Sequence, residues 1–313
     1  MIWLAGLRQC QNFMEVNQLL KQLNDVIYGK SEQVRLSIAC LLSGGHLLIE
    51  DLPGMGKTTL AQAVARSLGL KFKRIQFTSD MLPSDILGVS IYSREKESFV
   101  FKPGPVFTQM LLADEINRTH PKTQSALLEA MEERQVTVDG KRYKLPNPFF
   151  VVASQNPTEQ SGTFKLPESQ LDRFAMRISL GYPSEEAELK LLSGDNPREL
   201  IEGLAALSDA EGVLSLRVQV ARVTVSDAIN RYLLRLIRAS REKSGTTGLS
   251  PRAGLALQRA AQAYAMLQQR NHVIPDDVQA VFASVAGHRL MPNGSVSEGD
   301  ALCARLLSEV DVL

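Results

Sequence analysis

Cysteine and tryptophan are scarce in this sequence, and long apolar runs are missing. Its 313 residues include one tryptophan and three cysteines. Cys10, Cys40 and Cys303 are far apart, odd in number and at no metal-ligand spacing, which argues against a disulfide framework or a cysteine metal site. No stretch of about 18 apolar residues occurs, so no membrane span is predicted. This pattern favours the reducing cytoplasm.

Net charge is also nearly absent. Lysine and arginine together exceed aspartate and glutamate by one residue, which gives a formal charge of +1. A chain with so little excess charge has no overall attraction to a phosphate backbone or to anionic lipid, so nucleic acid is not the expected partner. Hydrophobic residues make up 44% and charged residues 22%, as in globular proteins, and the length allows two domains.

The first part of the chain alternates short apolar runs with helical patterns. Apolar residues recur at helical spacing over residues 13–24, 31–42 and 58–68. Buried strands are predicted from the apolar runs at residues 46–50, 73–77, 110–113, 149–154 and 176–180. Such alternation is typical of an α/β fold, with a parallel sheet covered by helices on both faces.

After Pro183 the strand pattern ends and helical patterns follow one another. Helices are predicted at residues 185–192, 227–243, 251–269, 276–288 and 298–310. Ser250 and Pro251 have the residue types of an N-cap followed by proline at the first helical position. We therefore expect an α/β domain over residues 1–183 and an all-helical domain over residues 184–313.

Two polar insertions interrupt the α/β part. One covers about residues 88–107, and the other about residues 136–147. The second contains Asp139-Gly140 between two alternating segments, which is a strong signal for a β-hairpin. Both insertions are expected to project from the domain.

A glycine-containing loop lies between the first predicted strand and the helix that follows it. Its residues are Asp51, Leu52, Pro53, Gly54, Met55, Gly56, Lys57 and Thr58, with Thr59 next. Glycines allow backbone N–H groups to surround phosphates, and the helix N-terminus adds partial positive charge. Lys57 is predicted to pair with the β- and γ-phosphates and Thr58 to bind Mg²⁺. Asp51 stands where the usual pattern has its first glycine.

Carboxylates and an amide follow two later strands. The strand at residues 110–113 ends in Asp114 and Glu115, and the strand at residues 149–154 is followed by Asn156. Asp114 is predicted to hold Mg²⁺ through water, Glu115 to activate the attacking water and Asn156 to orient it. Together with the loop, this pair of carboxylates predicts hydrolysis of a nucleoside triphosphate.

Two arginines are candidates for contact with the γ-phosphate. Arg173 precedes the last predicted strand and is placed to reach the nucleotide of a neighbouring subunit, where such an arginine accelerates hydrolysis by roughly 10³ to 10⁵. The alternative is an ion pair within the chain to Asp172 or Glu168. Arg252 begins a helix of the second domain and is a candidate to touch phosphate from there, the alternative being an exposed helix arginine.

These motifs occur in the order of the Walker A, Walker B, sensor 1, arginine-finger and sensor 2 elements of an AAA+ module. They are Gly56–Thr58, Asp114–Arg118, Gln155–Pro157, Leu171–Phe174 and Ser250–Arg252. Within the AAA+ proteins, one family is indicated by the sequences at residues 50–54, 101–107, 122–133 and 166–168. Nearly the whole chain resembles the MoxR family of the helix-2-insert group. In that family residues 88–107 correspond to the helix-2 insert.

The resemblance implies a P-loop fold with a helical lid and a ring, most often hexameric, with ATP between subunits. It places Val26, Tyr28 and Gly29 near the adenine and makes Arg173 act on the adjacent subunit. It also implies chaperone-like remodelling of a client protein or assembly of metal centres. A protein with a von Willebrand A domain is the partner often found in this family.

Two other functions share parts of this pattern. A nucleic-acid motor or a chelatase-type subunit has the same nucleotide site and insert, and a basic stripe on the inserts favours the motor. The basic residues of the inserts are offset by acidic ones: Lys96, Lys102, Lys141, Arg142 and Lys144 against Glu95, Glu97 and Asp139. A scaffold that binds ATP without hydrolysing it is expected to lack the catalytic carboxylate or the finger, and this sequence has candidates for both.

Overall fold

A computed structural model describes residues 16–156, 163–194, 197–242, 248–291 and 296–312. The predicted N-terminal helix is present over residues 16–24 (α1), and its predicted first residues lie outside the described part. Cys10, Pro157, Lys243 and the segment of residues 1–11 also lie outside it. Cys40 and Cys303 are both buried free thiols.

Nine strands are described. They are β1 Leu47–Glu50, β2 Phe72–Gln76, β3 Gly88–Ser93, β4 Ser98–Pro103, β5 Met110–Asp114, β6 Gln135–Val138, β7 Lys141–Lys144, β8 Phe150–Gln155 and β9 Met176–Ile178. Five of them form one parallel sheet in the order β2-β5-β8-β1-β9. The strand predictions are confirmed with shifts of one or two residues at the ends.

The helices of the first part are α2 Ser31–Leu42, α3 Lys57–Ser67, α4 Pro83–Leu87, α5 Pro121–Glu133 and α6 Glu168–Leu171. Those of the second part are α7 Glu185–Leu192, α8 Pro197–Glu202, α9 Ala210–Val220, α10 Asp227–Glu242, α11 Pro251–Leu267, α12 Pro275–Ala286 and α13 Val296–Glu309. Ser250 caps α11 by accepting a hydrogen bond from the Ala253 N–H, as predicted.

Alternation along the strands creates two hydrophobic cores. In β1, Leu47 and Ile49 belong to the core that contains α2, α3 and the C-terminal helices, whereas Leu48 belongs to the core that contains α5. Side chains that alternate between faces reach helices on both sides of the sheet. This arrangement confirms the predicted α/β fold with three layers and a helical C-terminal part.

Both insertions contain a β-hairpin. Strands β3 and β4 pair antiparallel, as do β6 and β7. Asp139 and Gly140 both have positive φ, the conformation that the Asp-Gly signal predicts. The rings of Phe101 and Tyr143 stack with their centroids 4.0 Å apart, so that the two hairpins touch.

Helices α8 and α9 were not predicted from the sequence. Helix α8 has six residues, which is too short for a clear apolar period. Helix α9 begins at a detectable signal, because the carboxylate of Asp209 caps it by accepting the Gly212 N–H at 2.8 Å. Among the described helices, none is both long enough and apolar enough to cross a membrane.

Candidate functional site

The glycine loop connects the carboxyl end of β1 to the N-terminus of α3. Gly54 and Gly56 both have φ of +86°, a conformation that side-chain-bearing residues rarely adopt. A Cβ added at either position meets no atom within 4 Å, so the space beside the loop is open. Pro53 is exposed and Met55 is half-buried. An open loop at the N-terminus of an eleven-residue helix is suited to phosphate.

Lys57 is the first residue of α3 and is buried. Its ammonium donates hydrogen bonds to the backbone oxygen of Asp51 at 2.8 Å and to Oδ1 of Asn156 at 3.2 Å. Burial lowers the pKa of Lys57, and the charges of Asp114, Asp51 and Glu115 oppose this effect. An ammonium that has lost hydration through burial is stabilised by a polyanion that arrives beside it. Thr58 and Thr59 follow in the first turn of α3, and both are half-buried.

Asp51, the departure from the usual glycine, anchors the loop. Its carboxylate accepts hydrogen bonds from the Ser179 hydroxyl at 2.8 Å, the Gly181 N–H at 3.2 Å and the Leu180 N–H. These three donors belong to the segment that leads from β9 to α7. The side chain therefore ties the glycine loop to the connection between the sheet and the C-terminal helices.

Asp114 ends β5 with both carboxylate oxygens engaged. Oδ1 accepts from the Ser154 hydroxyl, and Oδ2 lies 2.6 Å from Nη2 of Arg74 on β2. Only 7% of the residue is exposed. The same Ser154 hydroxyl accepts the Glu115 N–H at 2.9 Å, so that one serine positions both acidic residues.

Glu115 has the left-handed backbone conformation, with φ of +56°. Its Oε1 accepts from Nδ2 of Asn156 at 3.0 Å. Its Oε2 accepts from the side-chain amide of Gln76 at 2.7 Å and lies 2.8 Å from Nε of Arg118. The carboxylate is therefore fixed in orientation by donors from β2, from the turn after β5 and from the end of β8.

Sequence reasoning missed three residues that hold these acids. Arg74 and Gln76 stand two residues apart on β2 with buried Ile75 between them. That alternation places both polar side chains on one side at the carboxyl end of the strand, which is a usable signal. Ser154 lay inside the predicted strand at residues 149–154, where it looked like an ordinary strand residue.

The oxygen atoms at this edge of the sheet fit Mg²⁺. A hydroxyl at Thr58 and a carboxylate at Asp114 are ligand types that Mg²⁺ prefers, together with waters and phosphate oxygens. Among the described residues, no three His, Cys, Asp or Glu side chains come together as a metal site. A metal held by so few protein ligands depends on the nucleotide for the rest.

The predicted adenine segment lies against the start of the C-terminal helices. Val26 is buried, and the ring of Tyr28 lies 4.9 Å below the ammonium of Lys190 on α7. Gly29 has φ of +68°, and an added Cβ would approach the Ser184 hydroxyl to 3.1 Å. The segment thus contacts α7, the helix that follows the connection anchored by Asp51. Contact with adenine stays a prediction.

Arg173 and Arg252 lie together. Nε of Arg173 is 3.2 Å from Oε2 of Glu132, and Nη1 of Arg252 is 2.9 Å from Oε1 of the same carboxylate. Arg173 therefore makes an ion pair within the chain, as the alternative prediction had it, but its partner is Glu132 and not Asp172 or Glu168. Asp172 pairs with Arg289 at 2.6 Å.

The two arginines line a cavity of about 250 Å³ at the amino end of β1. His46, the residue before β1, also lines this cavity, whereas the glycine loop begins at Asp51 after β1. A four-residue strand separates these ends by about 13 Å. Arg252 therefore does not touch the phosphate site of its own chain. The prediction that it contacts phosphate is corrected to this extent.

Two protein-family models match consecutive parts of the chain. Residues 46–176 match the ATPase family associated with various cellular activities (AAA), and residues 238–303 match the AAA lid domain. The first match contains both the glycine loop and the carboxylates, and the second begins within α10.

Individual proteins are similar along most of the chain. The protein YeaC of Bacillus subtilis, which is uncharacterised, is 45% identical over 95% of this chain and 94% of its own length. The chaperone MoxR1 of Mycobacterium tuberculosis is 40% identical over 86% of this chain and 74% of its own length. A crystal structure of a presumed ATPase from Cytophaga hutchinsonii superposes with a TM-score of 0.88 at 34% identity, covering 99% of this chain and 98% of the other.

Proposed function

This chain belongs to the MoxR family of AAA+ ATPases, and on that premise we propose that it hydrolyses ATP at a site shared between adjacent copies. The observation that carries the proposal is the connected set of Lys57, Asn156 and Glu115. This set joins a phosphate-binding cation to a carboxylate that can accept a proton from water.

In the proposed reaction, the glycine loop and Lys57 hold the β- and γ-phosphates. Thr58 and Asp114 are the residues that would hold Mg²⁺, Asp114 through water, and the ion would supply positive charge to these phosphates. Glu115 accepts a proton from the water that attacks the γ-phosphorus, and the bond from phosphorus to the bridging oxygen breaks to give ADP and phosphate. Asn156 orients that water. Since three donors now hold the Glu115 carboxylate, the water must replace one of them.

The second half of the site comes from a neighbouring copy. Arg173 and Arg252 line the cavity at the amino end of β1, and the glycine loop of their own chain follows the other end of this strand, which is about 13 Å long. At the amino end of β1, these guanidinium groups can contact only a γ-phosphate that is bound to another copy of the chain. A closed ring satisfies this requirement for each member, and six copies is the number that the family resemblance predicts.

We further propose that hydrolysis drives remodelling of a client protein. The hairpin of β3 and β4 exposes Tyr92 by 56% and Phe99 by 72%, together with Val89 and Ile91. Large apolar side chains that are exposed to solvent on a hairpin are typical of surfaces that bind other proteins. A protein with a von Willebrand A domain is the candidate partner that the family resemblance indicates.

Steady-state hydrolysis tests the enzymatic proposal. Wild type should hydrolyse ATP with Mg²⁺, and its specific activity should rise with protein concentration as copies assemble. Glu115→Gln should bind a fluorescent ATP analogue normally and turn over at least about 100-fold more slowly, the usual contribution of a general base. Normal turnover in this variant would remove Glu115 from the role of base.

A mixing experiment tests the shared site. Lys57→Ala loses the loop function and Arg173→Ala loses the finger, so each alone should be nearly inactive. A mixture should regain turnover, because some interfaces then combine an intact loop with an intact finger. Tight ATP binding without any turnover in the wild type would favour the scaffold function instead.

A further inference from the structure

Glu132 lies near the C-terminal end of α5 and joins three elements through one carboxylate. Its Oε2 is 3.2 Å from Nε of Arg173, which follows α6, and its Oε1 is 2.9 Å from Nη1 of Arg252, the second residue of α11. Each guanidinium has its own oxygen. The carboxylate therefore bridges the two arginines instead of exchanging between them.

The surrounding charge makes this bridge important. The cavity beside it is lined by the arginines Arg134, Arg173, Arg252, Arg259 and Arg289 and by the carboxylates Glu132 and Asp172. Asp172 is engaged by Arg289 at 2.6 Å. Guanidinium groups that share a small cavity repel one another, so Arg173 and Arg252 stay adjacent because an anion lies between them.

We propose that Glu132 is a positioning residue that holds Arg173 and Arg252 side by side, so that both meet the γ-phosphate of ATP bound to an adjacent copy. The inference rests on the proposed function. Without Glu132, each arginine samples more rotamers and the two separate. With it, the face offers a paired cationic group of fixed geometry, which matches the several oxygens of a phosphoryl group.

Glu132→Gln tests this role with little change in shape. The amide keeps one acceptor oxygen, but its NH₂ group faces the other guanidinium and its negative charge is gone. We expect kcat to fall by about tenfold to a hundredfold, a part of the roughly 10³ to 10⁵ that a finger supplies. The dissociation constant for ATP should stay within about twofold, because Lys57 and the loop lie at the other end of β1.

Two further variants separate charge from shape. Glu132→Asp keeps the charge on a shorter side chain, so its kcat should lie between those of wild type and Glu132→Gln. Glu133→Gln removes the same charge from the next residue, which is exposed, and should keep the wild-type kcat. Equal losses in Glu133→Gln and Glu132→Gln would reduce the effect to general surface charge and overturn the proposal.

Mixing assigns the effect to the correct face. A mixture of Glu132→Gln and Lys57→Ala should regain turnover. A mixture of Glu132→Gln and Arg173→Ala should not, because both variants are defective on the side of the chain that presents the two arginines. A folding defect does not produce this pattern. If Glu132→Gln has the wild-type kcat while Arg173→Ala is inactive, the positioning role of Glu132 is overturned and the shared site still stands. Failure of Lys57→Ala and Arg173→Ala to complement each other overturns the shared site as well.

Discussion

Asn156 connects Lys57 to Glu115 through the two ends of one amide. Its Oδ1 accepts from the Lys57 ammonium at 3.2 Å, and its Nδ2 donates to the Glu115 carboxylate at 3.0 Å. A residue that can both accept and donate is needed at this position. The amide therefore holds the Lys57 ammonium and the Glu115 carboxylate at a fixed separation.

Asn156→Asp should separate nucleotide binding from turnover. The new carboxylate still accepts from Lys57, but it replaces the donor to Glu115 with a like charge, which repels that carboxylate. We expect ATP affinity within about threefold of wild type and a kcat lower by about a hundredfold, comparable to loss of other orienting groups. Equilibrium binding of a fluorescent ATP analogue and steady-state hydrolysis measure the two quantities.

Asn156→Ala is the matched control, because it removes both hydrogen bonds without adding charge. It should turn over more slowly than wild type and faster than Asn156→Asp. If both variants had wild-type kcat, Asn156 would have no part in orienting water.

Asp51 should contribute strongly to stability. Its buried carboxylate accepts three hydrogen bonds from residues 179–181. Asp51→Ala leaves these donors unpaired, and hydrogen bonds to a charged group contribute about 1.5–3 kcal/mol each at most. We expect the free energy of unfolding, measured in urea without nucleotide, to fall by about 3 kcal/mol.

Ser179→Ala removes one of the three donors to Asp51. Its loss should be about 1.5 kcal/mol, the lower end of the range for a hydrogen bond to a charged group. A change below about 0.5 kcal/mol in Asp51→Ala would mean that the loop does not depend on this anchor.

His46 should make the protein less stable in acid. It is buried, accepts the Val151 N–H at Nδ1 and donates from Nε2 to the Met131 carbonyl oxygen. Burial lowers the pKa of His46 to about 3 from 6.5. The unfolded chain therefore takes up a proton below pH 6.5 that the folded chain refuses, so the stabilisation present above this pH is lost as pH falls toward 3.

Between pH 7 and pH 5, wild type should lose about 2 kcal/mol more than a His46→Gln variant. Urea unfolding at both pH values measures the difference. His288 is also buried with a lowered pKa, but it is present in both proteins and cancels in the comparison. Parallel pH dependence of the two proteins would contradict the shift at His46.

Much of the sheet and of the loop side of the site could be predicted from the sequence. Strands β1, β5 and β8 are buried on both faces and therefore appear as continuous apolar runs. Carboxyl ends of parallel strands meet at one edge, so Asp114 and Asn156, which end two such runs, had to lie close together. The Asp139-Gly140 turn was predictable for a local reason, since few residue pairs accept positive φ twice.

The arginine side of the site could not be predicted in the same way. Arg252 reaches Glu132 because α11 packs against α2 and α12 through contacts far apart in sequence, and no local pattern carries that information. The helix start at Ser250 was predictable, but the place of that start relative to β1 was not. The alternation of Arg74 and Gln76 around Ile75 was a usable signal, but it does not identify Glu115 as the residue that Gln76 contacts across the sheet.

The exposed hairpin should bind unfolded polypeptide through its aromatic tip. Tyr92 and Phe99 stand opposite each other on β3 and β4, with ring centroids 5.6 Å apart. Burying one such ring contributes about 1.5–3 kcal/mol, so replacing both by serine should weaken binding at least about tenfold. Anisotropy of fluorescently labelled casein, added to ATP-bound Glu115→Gln protein with and without the double substitution, measures the difference.

Lys96→Ser, in the turn of the same hairpin, is the control that should bind as before. Because both rings are exposed, their loss should leave the thermal midpoint nearly unchanged, and equal casein affinity in all three proteins would exclude this hairpin as a client site.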